Sequence, residues 1–397
     1  MIKAHKIRLH PTPEQASYFA KAAGTARFTF NWALAEWKRQ YEADGKPSAF
    51  SLKKQFHAIR REQFPWSYEV SKSVIEGAFI DVAAAFKQFF EGLKTGKKRG
   101  YPKFKSKKRS KQAFYLANDR FEVGDHWVEI SKLGRVNSAE KLRFSGKILS
   151  ARISKTASWW FISITVELPD ETPVPHTKPP VGIDVGLNRL ATLSGGKQFE
   201  NQKPLRTLLK QLRTANKKLS RCVKGSANWQ KAKKKLSRLH YRIACIRDDL
   251  LHKLTTEVAR TFGLVGIEAL HVKGLIQNRK LALSFSDAAL GKLLRLLESK
   301  VAHGGGTVVK VDRFFPSSQL CHQCGWRWHA ITLADRVFVC QNPTCGWCGD
   351  RDYNAAVNIL NEALRLIGVA LSDEVVPVVA TTAPKIAAGL GVRPKRR

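Results

Sequence analysis

The stretch of sequence that decides the fold is residues 321–359, CHQCGWRWHAITLADRVFVCQNPTCGWCGDRDYNAAVNI. It holds five of the seven cysteines of the chain. Thiolates at such close spacing form a soft, tetrahedral site that suits zinc. The polar run after the last cysteine is typical of a helix that begins there, with an acidic residue in its first turn. We therefore predict a zinc ribbon at residues 317–349 and a helix that starts at about residue 352.

The cysteine spacing leaves two sets of zinc ligands open. Cys321 and Cys324 form the first pair in both sets. The second pair is either Cys340 with Cys345, after 15 intervening residues, or Cys345 with Cys348, after 20. Both spacings are usual in zinc ribbons. The two remaining cysteines, Cys222 and Cys245, are predicted to be ordinary buried thiols.

The charge of the chain indicates its partner. There are 69 Lys and Arg against 32 Asp and Glu, a net charge of +37. Such an excess of positive charge destabilises the compact state by self-repulsion unless a polyanion neutralises it. The phosphate backbone of nucleic acid is the leading candidate for that polyanion. A ribosomal-type or merely cationic surface is the alternative.

The compartment follows from the cysteines and the chain start. Clustered cysteines favour a metal site in a reducing compartment over a secreted disulfide framework. Lys3, Lys6 and Arg8 interrupt any signal-peptide pattern, and the apolar segment 363–382 contains charged residues and Pro377. We expect a cytoplasmic protein without a membrane span.

The residue patterns predict an α+β multidomain chain. Residues 1–9 and 112–168 alternate in polarity, which predicts an antiparallel β domain of residues 1–11 and 94–178, into which the helical domain 12–93 is inserted. A proline-rich joint, Pro169–Pro180, precedes a second domain made of residues 179–316 and 350–370, with a helix expected at 286–303. Residues 371–397 are expected to be a flexible basic tail.

Three acidic residues are candidate metal ligands. Asp184 and Glu268 each end a short apolar strand, where an acid is costly to bury unless it is paired or binds a metal. Together with Asp352 they occur in a strand–hairpin–helix–strand order that matches an RNase H-like sheet. Phosphodiester hydrolysis needs an activated water and a stabilised leaving oxygen, which two Mg²⁺ ions (or Mn²⁺) held by carboxylates supply. We assign Asp184 as the bridging ligand, and Asp350 as a helix cap or a partner of Arg351.

Several separate motifs resemble the TnpB proteins of bacterial insertion sequences. They are Gly182-Ile183-Asp184-Val185-Gly186, Asp248-Asp249-Leu250-Leu251-His252-Lys253-Leu254, Asn278-Arg279-Lys280-Leu281-Ala282, the run Phe314–Gly325, and the run Asp350–Ile359. The likeness covers nearly the whole chain and is strongest from residue 180 to residue 360.

The resemblance implies an RNA-guided DNA endonuclease, similar to the compact ancestors of type V CRISPR effectors. Such a protein has a RuvC-like nuclease domain with a zinc ribbon, a wedge domain and a helical recognition domain. Its partners are a guide RNA derived from the transposon end and target double-stranded DNA beside a short duplex motif. The implied catalytic residues are Asp184, Glu268 and Asp352, and the implied zinc ligands are Cys321, Cys324, Cys340 and Cys345, with Cys348 spare.

Two segments are candidates for nucleic-acid contact, the implied recognition helix and the basic run 94–111. Their residues are Lys72, Glu76, Lys97, Lys98, Arg99, Lys103 and Lys105. Glu76 stands where relatives often have Gln, and because a carboxylate can only accept hydrogen bonds, a different adjacent motif is expected.

Two rival functions use the same features. A nuclease-inactive RNA-guided DNA-binding repressor would lack one or more of the three acids. A DNA-joining transposase would use them on the same sheet for strand transfer.

Overall fold

The first nine-residue strand, β1 (Ile2–His10), alternates between exposed and buried side chains along its second half. This period of two places Ile7 and Leu9 in the core, where a half-buried strand needs apolar residues. In the computed structural model, which describes residues 1–96, 99–169, 178–332 and 334–368, β1 is an inner strand of a sheet. The chain divides into two compact units, Met1–Glu171 with Lys233–Arg238, and Thr172–Ala232 with Leu239–Arg397.

Three helices follow β1 in the first unit. They are α1 (Pro13–Glu42), α2 (Ala49–Gln63) and α3 (Lys72–Lys94), and a 3-10 turn, Pro65–Glu69, precedes α3. Thr12 begins α1 as predicted: Gln15 donates its backbone N–H to the Thr12 hydroxyl, and Thr12 donates its own to the Gln15 side chain. The helices pack on one another through buried aromatic and aliphatic side chains such as Phe30, Phe56 and Phe79.

The sheet of the first unit has seven antiparallel strands in the order β2-β6-β7-β1-β5-β4-β3. Its later strands are β2 (Ala113–Ala117), β3 (Phe121–Val123), β4 (Trp127–Ile130), β5 (Gly134–Ser138), β6 (Lys147–Thr156) and β7 (Trp159–Glu167). Since β1 pairs with β7 and β5, the three helices interrupt the sequence of this sheet between its first strand and β2.

The second unit contains a mixed five-stranded sheet, in the order β10-β9-β8-β11-β12. The strands are β8 (Pro180–Asp184), β9 (Arg189–Leu193), β10 (Gln198–Glu200), β11 (Leu264–Glu268) and β12 (Thr307–Val311). Strands β8, β11 and β12 run parallel, whereas β8, β9 and β10 form an antiparallel meander.

Helices connect these strands: α4 (Pro204–Thr207), α5 (Leu209–Ser220), α6 (Ala227–Thr261), α7 (Val272–Gln277), α8 (Ala282–Ala288) and α9 (Leu290–His303). The helix expected at 286–303 begins only at residue 290, because the left-handed backbone of Ala289 (φ 52°) separates α8 from α9. The prediction of two buried thiols was also wrong: Cys222 is half-buried and Cys245 is exposed. Cys245 lies two residues from buried Ile243, which on a helix turns it to the opposite face.

The ribbon and the last helix complete the described chain. They consist of the hairpin β13 (Val337–Val339) and β14 (Cys348–Asp350), followed by α10 (Arg351–Leu366). The described ranges contain no helix long and apolar enough to cross a membrane. The predicted tail at 371–397 lies outside the described residues, as do Lys97 and Lys98.

Candidate active site

Two of the predicted acids come from neighbouring parallel strands. Gly182 of β8 pairs with Gly266 of β11, and Ile183 pairs with Ile267. The next residues along the two strands are Asp184 and Glu268, so both acids lie level at the carboxyl end of the sheet. Adjacent strands are about 4.8 Å apart, which places the two backbones within reach of a shared ligand.

The third acid arrives on α10, which packs directly on these strands. A Cβ atom on Gly182 would lie 2.1 Å from the backbone oxygen of Ala356, and one on Gly266 would lie 2.8 Å from Cβ of Ala363. Only glycine leaves room for so close an approach between helix and strand. Because α10 crosses both strands at their glycines, its first turn, with Asp352, lies beside the strand ends that carry the other acids.

The charges of the three acids interact. The pKa of Asp184 is raised to about 8, first by burial and then by the charges of Glu268 and Asp352, while Arg351 opposes the rise. Burial and the two neighbouring carboxylates therefore disfavour the ionised form of Asp184, as expected where a cation is needed to hold several carboxylates together.

One hydrogen bond and one ion pair hold two of the acids. The Ser317 hydroxyl donates to Oε1 of Glu268 at 2.6 Å, and the Arg351 guanidinium lies 3.6 Å from Oδ1 of Asp352. Sequence reasoning missed Ser317, which is buried, although it lies four residues before Cys321 in the run Phe314–Gly325.

Asp350 has the structural role that the sequence analysis assigned to it. Its carboxylate accepts a hydrogen bond from the backbone N–H of Tyr353 at 2.9 Å and so caps α10. Its other oxygen lies 2.5 Å from the guanidinium of Arg189 on β9. Asp350 is thus bound to Tyr353 and Arg189, and Arg351 pairs with Asp352 and not with Asp350.

The cysteines form the tightest group of potential metal ligands. The sulfurs of Cys321, Cys324, Cys340 and Cys345 all lie within 4.8 Å of one another, and within the described residues no other group of three or more His, Cys, Asp or Glu side chains meets that limit. Two of the sulfur–sulfur distances are 3.5 and 3.8 Å. Four sulfurs bound to one zinc at 2.3 Å would be about 3.8 Å apart, so this geometry fits zinc.

The unusual four-residue spacing between Cys340 and Cys345 is accommodated by a turn around Asn342. Its backbone oxygen accepts the N–H groups of Cys345 and Gly346, both at 3.0 Å. Gly346 has a positive φ of 57°, which glycine adopts readily. Cys348 is exposed on β14 and lies outside the four-cysteine group.

Two asparagines tie α10 to the ribbon. The side-chain amide of Asn354 donates to the Leu320 oxygen at 2.6 Å, and its oxygen accepts the N–H of His322 at 2.9 Å. Asn358, one turn later, donates to the oxygens of Ser317 and Leu320 at 2.8 and 2.7 Å. Both asparagines are buried. Their spacing of four residues on a helix was the available signal, since it places two amides on one buried face.

The candidate nucleic-acid contacts lie in the first unit. Lys72 begins α3, and Glu76, one turn later, lies 3.1 Å from Lys53 and 3.8 Å from Lys72. Arg99 and Lys103 are exposed. Lys105 is engaged internally: its ammonium lies 3.2 Å from Asp81 and 3.7 Å from the centre of the Phe30 ring.

Comparison with known proteins gives consistent matches along the chain. Residues 163–279 match the OrfB_IS605 family, described as "Probable transposase", residues 291–359 match "Cas12f1-like, TNB domain", and residues 1–46 match the HTH_OrfB_IS605 "Helix-turn-helix domain". A Streptomyces pristinaespiralis protein named "Putative RNA-guided DNA endonuclease" is 35% identical over 370 residues, which are 91% of this chain and 89% of that protein. "Putative RNA-guided DNA endonuclease InsQ" of Escherichia coli K12 is 30% identical over 376 residues, 90% of this chain and 92% of its own.

A solved structure shares the fold. The protein in "Cryo-EM structure of the Cas12f1-sgRNA-target DNA complex" aligns with a TM-score of 0.53 and 18% identity, over 88% of this chain and 83% of that one. At this level of identity the similarity concerns the fold of a mixed α/β, multidomain chain.

Proposed function

The chain belongs to the TnpB family of insertion-sequence proteins, and we propose that it is an RNA-guided DNA endonuclease that cuts beside a short duplex motif. The observation that carries the proposal is the placement of Asp184 and Glu268 on paired parallel strands, under the helix that carries Asp352. The names of its relatives agree with this chemistry, and their length matches that of the chain.

The nuclease domain in this proposal is RuvC-like. The strand order β10-β9-β8-β11-β12, with an antiparallel meander beside parallel strands, is the arrangement of an RNase H-like sheet and supports the assignment. The seven-stranded sheet corresponds to the wedge domain and α1–α3 to the recognition domain. The four-cysteine group is proposed to hold one structural zinc.

Asp184, Glu268 and Asp352 are the residues that would hold divalent cations in the active site. The raised pKa of Asp184 supports the fit, because three neighbouring carboxylates are best kept ionised by a cation. If two ions were bound, Asp184 would be the acid shared between them, with Glu268 and Asp352 each serving one ion. Bound there, Mg²⁺ or Mn²⁺ supplies the charge that activates water and stabilises the leaving oxygen of a phosphodiester.

The chain's own groups prepare this site. The Ser317 hydroxyl holds one oxygen of Glu268 and so limits the rotation of that carboxylate. Arg351 lies 3.6 Å from Oδ1 of Asp352 and adds positive charge beside the carboxylates. The raised pKa of Asp184 means that ionisation of this group depends on its neighbours.

Recognition of DNA is divided between RNA and protein in this proposal. A guide RNA from the transposon end pairs with the target strand, while the basic surface of the protein holds the backbones. Glu76 and Lys72 on α3 are the proposed readers of the adjacent duplex motif, and Arg99 and Lys103 are proposed to contact phosphates.

The test is cleavage of a plasmid by the purified protein with its guide RNA and Mg²⁺. We expect cutting by the wild-type protein and by Asp249→Asn, an exposed acid paired with Lys253 on α6, but not by Asp184→Asn, Glu268→Gln or Asp352→Asn. RNA binding should persist in all of them. Cutting or joining without guide RNA would indicate a transposase, and guide-dependent binding without cutting by the wild-type protein would indicate a repressor.

A further inference from the structure

A cavity of about 360 Å³ lies within the first unit, between α1, α3 and the strands β2 and β6. Four basic side chains line it, and Asp81 is its one carboxylate. The basic residues are Arg27 of α1, Lys105 and Lys111 before β2, and Arg152 of β6. Its volume falls in the range of sites for single small ligands, enough for one nucleotide unit and too small for a duplex.

Asp81 is already neutralised within the protein. Arg152 donates to both of its oxygens, at 2.8 and 3.2 Å, and the Lys105 ammonium donates at 3.2 Å. Burial alone would raise the pKa of Asp81, but the bonds and charges of Arg152 and Lys105 outweigh it and hold this pKa below its ordinary value. The carboxylate therefore has no capacity left for the other two cations.

Those two cations, on Arg27 and Lys111, make no ion pair or side-chain hydrogen bond with any part of the chain that the structure describes. Ser154, Ser163 and Tyr115 also line the cavity, and their hydroxyls have no hydrogen-bond partner among the described residues either. Ser154 is a buried residue, 5% exposed, on the floor that β6 contributes to the cavity. The free polar groups of the cavity are thus two cations and three hydroxyls, a set that suits an anionic ligand rich in acceptors.

We infer that this cavity binds one phosphate of a nucleic-acid strand, with Arg27 and Lys111 as its charged ligands and the hydroxyls of Ser154, Ser163 and Tyr115 as further donors. The inference rests on the proposed function for the kind of ligand, since RNA and DNA both supply the phosphate. Arg152 and Lys105 contribute indirectly by neutralising Asp81, which would otherwise repel the ligand.

The experiment measures binding, so that it does not depend on catalysis. In one arm, the affinity of the protein for its guide RNA is measured as a function of salt. In the other arm, the preassembled Asp184→Asn protein–RNA complex is titrated with target DNA. The variants are Arg27→Gln, Lys111→Gln and Ser154→Ala, with Lys46→Gln, an exposed lysine without a described partner in the same unit, as the matched control.

We expect Arg27→Gln and Lys111→Gln each to weaken one arm about tenfold, as for loss of a hydrogen bond to a charged group. The slope of log affinity against log salt should fall by about 0.7–0.9 for each lost contact. Replacing one phosphate of the affected strand by a neutral methylphosphonate should weaken binding to the wild-type protein more than binding to Arg27→Gln, in which only Lys111 still contacts that phosphate.

A change in affinity confined to the guide RNA arm would place the bound phosphate on the RNA, and a change confined to the target DNA arm would place it on the DNA. Equal affinities and slopes for Arg27→Gln, Lys111→Gln and Lys46→Gln in both arms would overturn the inference, and so would the lack of any phosphate position that couples to Arg27. Ser154→Ala serves as a second probe, because it removes a donor without changing charge or volume appreciably. Wild-type protein that binds neither RNA nor DNA would instead refute the proposed function.

Discussion

The most direct test of the proposed active-site geometry is Gly182→Ala, because this substitution should displace the helix that carries Asp352 without removing any of the three acids. The added Cβ would lie 2.1 Å from the backbone oxygen of Ala356 and 2.6 Å from the backbone nitrogen of Leu360. Backbone atoms cannot rotate out of the way as a side chain can. To restore an ordinary contact of 3.4 Å, α10 must move away from β8.

The size of the effect follows from this displacement. Overpacking a close contact costs about 1–3 kcal/mol of the free energy of unfolding. In a unit of this size that lowers the melting temperature by roughly 2–12 °C. A displacement of about 1 Å at the reacting groups can reduce the rate of cutting about 100-fold. We therefore expect a protein that is somewhat less stable and nearly inactive although all three carboxylates are present.

The assay combines thermal unfolding with guide-dependent plasmid cutting measured below the transition. Gly195→Ala, in the turn after β9, is the matched control, since no atom lies within 4 Å of the position that its Cβ would take and its backbone is not left-handed. Gly266→Ala should have a melting temperature and a cutting rate between those of Gly182→Ala and Gly195→Ala, because the nearest contact of its added Cβ, at 2.8 Å, is the side chain of Ala363. If Gly182→Ala melts and cuts like Gly195→Ala, α10 does not rest on β8. If it is destabilised but cuts at the wild-type rate, the reaction does not depend on the position of Asp352.

Three further predictions concern single residues around the two sites and the recognition helix. Ser317→Ala should slow cutting about tenfold and raise the Mg²⁺ concentration needed for cutting, because Glu268 loses its hydrogen bond. Ser317→Thr keeps the hydroxyl and should restore part of the rate. A Mg²⁺ titration of Ser317→Ala identical to that of the wild-type protein would contradict this prediction. Cys321→Ser should lose zinc and have a lower melting temperature, whereas Cys348→Ser should keep its zinc and the wild-type melting temperature. Metal content and thermal unfolding measure the two effects. Equal zinc loss in the two variants would refute the ligand assignment. Glu76→Gln should shift the preferred adjacent DNA motif toward adenine, because an amide can both donate a hydrogen bond to the adenine edge and accept one from it. An unchanged preference in a library of randomised flanking sequences would exclude Glu76 as a residue that contacts the motif.

The sequence alone was enough for the parts of the site that rest on local pattern. Asp184 and Glu268 end short apolar runs, and Cys321 with Cys324 form a recognisable pair, so each was visible within a few residues. Ala289 shows where local pattern ends, since its left-handed backbone, which divides the predicted helix, leaves no trace in hydrophobic spacing. Asp81 was missed for a different reason, because its partner Arg152 lies 71 residues away on another element.

The structure also shows how the ribbon is connected to two of the acids. The small residues of α10 contact the strand glycines, while Asn354 and Asn358 bind the backbone of residues 317–322. Ser317, held by Asn358, in turn orients Glu268. A change in the ribbon is therefore transmitted through α10 to Asp352 and through Ser317 to Glu268. On this argument the proposed zinc site would contribute to the positions of two of the three proposed catalytic acids, in addition to the effect on folding that we predict for it.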